Sequence, residues 1–230
     1  MFSRIPEMRL FHCLIIMIIM LMLPGISSVT AQKAGQKADQ KAEKKPQVLV
    51  YEIDQEQSRI IVHLVQEGLI ARLHPRHEVS AQKFSGNVAM SAVNETDVSV
   101  EVETEAASLT NIDKDMSDFE RKEFHNILRN KVLESDKFPV IRFAAASVSD
   151  VKRSGANRSF NLNGDLFLHG TKRAVSLPVN VVIDGSVLKA QGEAKLKQSD
   201  FGIKPYTGGF GAIKIGDELK VSFQIVARKK

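Results

Sequence analysis

From Val48 onward the chain repeats one pattern: apolar and polar residues alternate with a period of two, and glycine-bearing turns break the runs. Successive side chains on a strand point to opposite faces, so each such run buries one face and wets the other. Val98, Val100 and Val102 alternate with Ser99, Glu101 and Glu103. Phe160, Leu162, Gly164, Leu166 and Leu168 share one face, as do Val175, Leu177, Val179, Val181 and Ile183. Two stretches, 164–171 (GDLFLHGT) and 199–205 (SDFGIKP), close in a glycine turn, and Asp184-Gly185-Ser186 reads as a tight hairpin turn.

Further strands are expected at 48–54 and 59–66, the latter apolar on both faces (Ile60, Val62 and Leu64 against Ile61 and Val65). Another runs over 78–91 with a bend at Gly86. Ile141, Phe143 and Ala145 alternate, 187–197 follows, and Leu219, Val221, Phe223, Ile225 and Ala227 end the chain. Pro178 implies an edge or a bulge, because proline has no N–H for a ladder. The pattern changes once. Ser117-Asp118-Phe119-Glu120 has the form of a capping box, and Phe119, Glu123, Phe124, Ile127, Leu128 and Val132 follow at helical spacing. The helix ends before Ser135, and Lys137-Phe138-Pro139 breaks it. The fold class is mainly β: about eight antiparallel strands with one helical insertion at about 115–133 and no βαβ rhythm. A barrel and a sandwich both satisfy this pattern, and a barrel of ~8 strands holds either side chains or one small ligand.

The N-terminus reads as an export leader over 1–31: Arg4 and Arg9, an apolar run at 10–23, then small residues before Ala31. That run falls short of the ~20 residues a spanning helix needs, although an uncleaved anchor is the competing reading. Cys13, the only cysteine, lies inside the leader, so the mature chain has neither disulfide nor thiolate chemistry. Residues 32–46 form a Lys/Ala/Gln-rich low-complexity linker, a solvated spacer or a polybasic strip for an anionic membrane surface. The domain is expected over 47–230. The net charge of +5 belongs mostly to the N-terminal part. The leader carries two arginines against one glutamate, and the linker five lysines against two acids, which leaves +1 on the domain. Nucleic acid is therefore not expected as a partner.

The chain resembles the YceI-like family of exported, lipocalin-like barrel proteins. The resemblance rests on Tyr51-Glu52-Ile53-Asp54 with Ser58, on Phe84-Ser85-Gly86, and on Ser108-Leu109. It continues in Phe138-Pro139-Val140-Ile141-Arg142-Phe143, Asn163 to Lys172, and Asp200-Phe201-Gly202-Ile203. It implies an extended antiparallel barrel around an apolar channel that binds a polyisoprenoid chain, with the helix at one mouth. No cofactor is required; an isoprenoid quinone or a lipid is the molecule the family implies. A relative's Gly-His-Asx-His pattern is only partly matched by Arg72-Leu73-His74-Pro75-Arg76-His77, where His77 alone fits.

On this reading the cavity is lined by Val62, Leu64, Val100, Val102, Phe119, Phe124, Leu128, Phe143, Leu166, Leu168, Val179 and Phe223. His77, His169 and Lys204 are the polar candidates at the mouth, although a turn histidine such as His169 more often satisfies turn backbone. The glycine-rich segment 204–211 reads as a flap near the opening and lacks the ending of a phosphate loop. No catalytic set declares itself, and His74 with His77 supplies too few ligands for a metal site. The expectation is an exported, non-enzymatic carrier of an apolar chain, periplasmic or extracellular, with a homodimer left open. The alternatives are an enzyme using the mouth histidines and a filled structural barrel.

Overall fold

A computed structural model of the protein describes residues 47–67, 71, 76–94 and 96–230. The leader at 1–31, the linker at 32–46 and His74 lie outside the described residues. The described strands are β1 (Val48–Ile53), β2 (Arg59–Glu67), β3 (Arg76–Ala81), β4 (Phe84–Ser91), β5 (Val98–Glu105) and β6 (Leu109–Asn111). They continue with β7 (Val140–Ser154), β8 (Asn157–Leu168), β9 (Thr171–Asp184), β10 (Val187–Lys197), β11 (Thr207–Gly208) and β12 (Ile213–Lys229). All pair antiparallel.

Three strand pairs are single strands with a kink. β1 and β2 run end to end along one edge of β12. β4 and β3 lie along β1 and β2 in turn, and β5 and β6 along β4 and β3. Counted so, eight strands follow one another round the ring in chain order. β12 closes it, pairing with β10 on one side and with β1 and β2 on the other. The sheet is a closed barrel rather than a sandwich, which leaves its main strands without a free edge.

The kinks are held by side-chain hydrogen bonds. Between β1 and β2, the Ser58 Oγ donates to the Asp54 carbonyl at 2.6 Å and accepts from the Val226 amide at 2.9 Å. Between β3 and β4 the bend falls at Gln82-Lys83, not at Gly86 as the sequence suggested. There the Lys83 carbonyl accepts from the Thr104 hydroxyl at 2.7 Å, and its amide donates to the Ser108 hydroxyl. Gly86 stays within the ladder opposite Val102, and a Cβ there would strike the Glu101 carbonyl. Its glycine is explained by close approach of strands, not by a bend.

Pro178 marks another break. The β9–β10 ladder stops at the Val179/Gly192 pair, although both strands continue beyond it. The short turn Ser199–Phe201 fills the parting; Phe201 is buried, and the Arg173 Nε donates to the Asp200 carbonyl at 2.8 Å. Pro178 therefore sits at a local edge inside a closed wall.

α1 (Asp118–Ile127) begins as expected. Ser117 accepts from the Glu120 amide, and the Glu120 carboxylate accepts from the Ser117 amide at 2.9 Å. The helix widens into a π turn over Leu128–Val132 and ends before Ser135. Arg121 fastens it to the end of β6: its guanidinium donates to the carbonyls of Asn111, Asp113 and Met116. α1 lies at the end of the barrel where β2 ends and β3 begins. The opposite end is formed by the short connections after β4, β7 and β9. The outer wall is charged, with cross-strand pairs such as Lys195–Glu218 at 2.8 Å and Lys220–Glu193 at 3.2 Å. The inner wall is apolar, which is the reverse of a membrane-spanning barrel.

Candidate ligand-binding cavity

Inside the barrel lies one elongated cavity of about 1180 Å³. A close-packed interior keeps few voids larger than a water molecule. At ~30 Å³ per water this space would hold about 40 waters. It reaches from Val151, Arg158 and Ile183 at the hairpin end to Phe119, Phe124 and Leu128 beneath α1. Along β8 alone it is lined from Phe160 to Leu168. At ~3.3 Å per residue and a tilt of ~40°, that gives roughly 20 Å along the barrel axis.

The lining follows from the period-two pattern. Val98, Val100 and Val102 face the cavity from β5, Phe160, Leu162, Leu166 and Leu168 from β8, and alternate residues from Val175 to Ile183 from β9. All twelve apolar residues singled out from the sequence lie on its wall: Val62, Leu64, Val100, Val102, Phe119, Phe124, Leu128, Phe143, Leu166, Leu168, Val179 and Phe223. Phe119 differs from expectation in its burial. It belongs to the first helical turn and is 75% exposed at the rim. Phe124, Ile127 and Leu128, one and two turns on, are the half-buried members of the stripe that roof the cavity.

The three polar candidates separate. His77 is on the cavity wall; His169 and Lys204 are not. His169 occupies the β8–β9 turn with φ of 52°, and its Nε2 bonds the Glu134 carboxylate at 2.8 Å. Its ring also packs on Phe138. A side chain at the end of the helical segment, not turn backbone, is thus its partner. Lys204 is exposed ahead of β11, and the glycine-rich segment folds into β11 and a single 3₁₀ turn at Gly209–Gly211.

His77 has a partner that the sequence did not suggest. Its Nδ1 lies 2.6 Å from the Asp113 Oδ2. A carboxylate only accepts, so Nδ1 carries a proton, and in the neutral imidazole Nε2 is an acceptor. Asp113 is fixed in turn by the Asn111 Nδ2 at 2.8 Å and the Glu78 amide at 2.9 Å. Burial pushes the Asp113 carboxyl up, but the hydrogen bonds from Asn111, His77 and Glu78 outweigh it and hold the group below the usual carboxylate range. His77 also packs against Phe124, ring centroids 5.5 Å apart, which ties the pair to the helix.

Gln66 was also missed. It ends the inward-facing row Ile60, Val62, Leu64, Gln66 on β2, is 6% exposed, and its Oε1 is enclosed without a hydrogen-bond partner among the described residues. Among the described residues the rim beneath α1 is mostly acidic. Glu78, Asp113, Asp115, Glu120 and Glu123 border the cavity there, against Arg76 and Lys114, with Arg121 just behind. Only burial or a lone polar residue in an apolar row could have signalled Gln66; nothing local to the sequence pairs Asp113 with His77.

Among the described residues no group of three or more His, Cys, Asp or Glu is placed to hold a metal. The imidazole–carboxylate pair has two members of a hydrolytic triad. No hydroxyl is hydrogen-bonded to His77 among the described residues, so the arrangement can accept a hydrogen bond or a proton but presents no activated nucleophile.

The family model of the YceI-like domain matches residues 51–227. Three solved structures share the fold. Burkholderia cenocepacia BcnA aligns with a TM-score of 0.59 at 19% identity, covering 76% of this chain and 98% of its own. A polyisoprenoid binding domain from Saccharophagus degradans, implicated in plant cell wall breakdown, aligns at 0.59 and 13%, covering 79% and 99%. The Campylobacter jejuni YCEI protein aligns at 0.51 and 16%, covering 66% and 84%. No curated protein matches the chain. With the family model spanning the barrel from β1 to the end of β12, the chain belongs to the YceI-like domain family.

Proposed function

We propose that the protein is an exported carrier that sequesters one apolar chain, an isoprenoid or similar amphiphile, in the barrel cavity. The observation that carries this reading is the cavity itself: about 1180 Å³, elongated, apolar-walled and enclosed by a charged exterior. Each CH₂ moved from water into it gains ~0.8 kcal/mol. A tail of several isoprene units therefore gains ~10 kcal/mol or more gross, against ~4–15 kcal/mol lost on association. Affinity then follows tail length, and polar groups at the helix end set orientation. The polyisoprenoid-binding neighbour supports the ligand class, and the leader pattern at 1–31 supports export to the periplasm or beyond. Sequestration needs no cofactor and no reaction.

Organic extraction of the purified protein followed by mass spectrometry tests the reading, together with titration by isoprenols of increasing length. We expect a co-extracted lipid and affinity that rises with each unit. No lipid and an affinity independent of length would refute it.

A further inference from the structure

The groups at the helix end of the cavity have a hydrogen-bonding sign. His77 is held by Asp113 with its proton on Nδ1, and its Nε2 has no partner among the described residues. Gln66 ends the same wall one inward step beyond Leu64, which pairs with His77 across β2 and β3. Its buried Oε1 is also unpaired among the described residues. A buried acceptor without a donor is costly, and an arriving donor removes that cost. Among the described residues the rim around them carries five carboxylates against two lining cations and Arg121. Such a rim repels an anionic head group and tolerates a neutral or cationic one.

We propose that His77 and Gln66 form a head-group subsite that takes a hydrogen-bond donor, an alcohol or an amine at the end of an apolar chain, and discriminates against a phosphorylated chain. This rests on the reading of the cavity as an apolar-chain site and adds to it which end enters last and what that end must be. The tail fills the barrel toward Ile183, and the head group stops beneath Phe124 with its O–H or N–H on the His77 Nε2. Asp113 acts as a positioning residue: it fixes the tautomer that makes Nε2 an acceptor.

The test uses four probes with the same twenty-carbon prenyl tail: the alcohol, the primary amine, the methyl ether and the diphosphate. Binding is measured on the purified protein at low and moderate salt. The alcohol and the amine are expected to bind about three- to tenfold more tightly than the ether, the span of one hydrogen bond. The diphosphate should bind most weakly, and added salt should narrow its deficit. His77→Phe keeps a ring against Phe124 and should bring the alcohol down to the ether without moving the ether. Asp113→Asn frees the other tautomer, Nε2–H, and should shift preference toward the ether. Equal affinity across alcohol, amine and ether, or tightest binding of the diphosphate, overturns the subsite and leaves the apolar cavity standing. An equal loss for all four probes in His77→Phe would assign that residue to structure alone and overturn it too. Failure of every probe to bind would refute the cavity reading, and the subsite with it.

Discussion

Ala190→Phe separates a hollow barrel from a filled one. Ala190 lines the cavity on β10, between its cross-strand neighbours Val181 and Ile225, which also line it, toward the hairpin end. In a close-packed core, an added ring forces off-rotamer side chains and costs ~1–3 kcal/mol. Here the ring enters open space and buries its own apolar surface. The substitution is expected to be neutral, or to stabilise by up to ~1.5 kcal/mol. It should also shorten the channel from its far end. If the ring excludes four carbons of a bound tail, the loss is ~3 kcal/mol, or roughly 200-fold in affinity. Tails too short to reach Ala190 should bind as they do to the parent protein. Thermal unfolding reports the first quantity, and competition by a tail-length series against a fluorescent apolar probe reports the second. A destabilised variant that binds every tail length as well as the parent would show that the space is not used, and the reasoning would fail.

Ser117→Ala removes the hydroxyl that caps α1 and should cost the helix about 1 kcal/mol, seen as faster amide exchange over 118–132 with the barrel amides unchanged. Gly192→Val should lower the unfolding midpoint by the equivalent of ~1–3 kcal/mol, because a Cβ there meets the Pro178 carbonyl and the Phe223 ring. Asp113 titrates below its ordinary value of 3.8 in the folded protein. Its contribution is therefore complete above that value and lost as pH falls through the lower folded one. Urea midpoints at several pH values below about 4 should fall more steeply for the parent protein than for Asp113→Asn.

The alternating runs were legible because one barrel face is apolar along most of β5, β8 and β9, and the strand period does not depend on what fills the interior. The capping box was legible because its two members lie three residues apart. Three features were not. The barrel closes through β12, whose C-terminal end pairs with β1 from the other end of the domain, and no local pattern carries that distance. The bend at Gln82-Lys83 depends on Thr104 and Ser108, two strands later in the chain. His77 and Asp113 stand 36 residues apart and meet only because β3 pairs with β6. Phe119 shows the limit of a helical stripe: the spacing says which face is apolar, but not how deeply each turn is buried.

A barrel that keeps its interior open must be held by its wall. The strongest burial accordingly lies at the seam rather than along the axis. Tyr51 on β1 and Ala227 on β12 are fully enclosed, and Ser58 between them binds both the β1–β2 corner and β12. The hydrogen-bond ladder runs round the ring with two breaks: β6 pairs with β3 but not with β7, and β9 and β10 part beside Pro178, where Phe201 is buried. This division of labour lets the lining vary in size without unfolding the protein. A cavity-lining residue such as Val100 can be exchanged for a larger or smaller apolar one at little cost to the wall, while Ser58 or Tyr51 cannot. Tyr51, Ser58 and Phe201 are wall fasteners, whereas most of the residues a ligand would touch are ordinary valines, leucines and phenylalanines in alternation. Specificity from such a lining can read only length and girth. Discrimination by chemistry has to come from the few polar groups at the mouth, where His77 is held in one tautomer by Asp113.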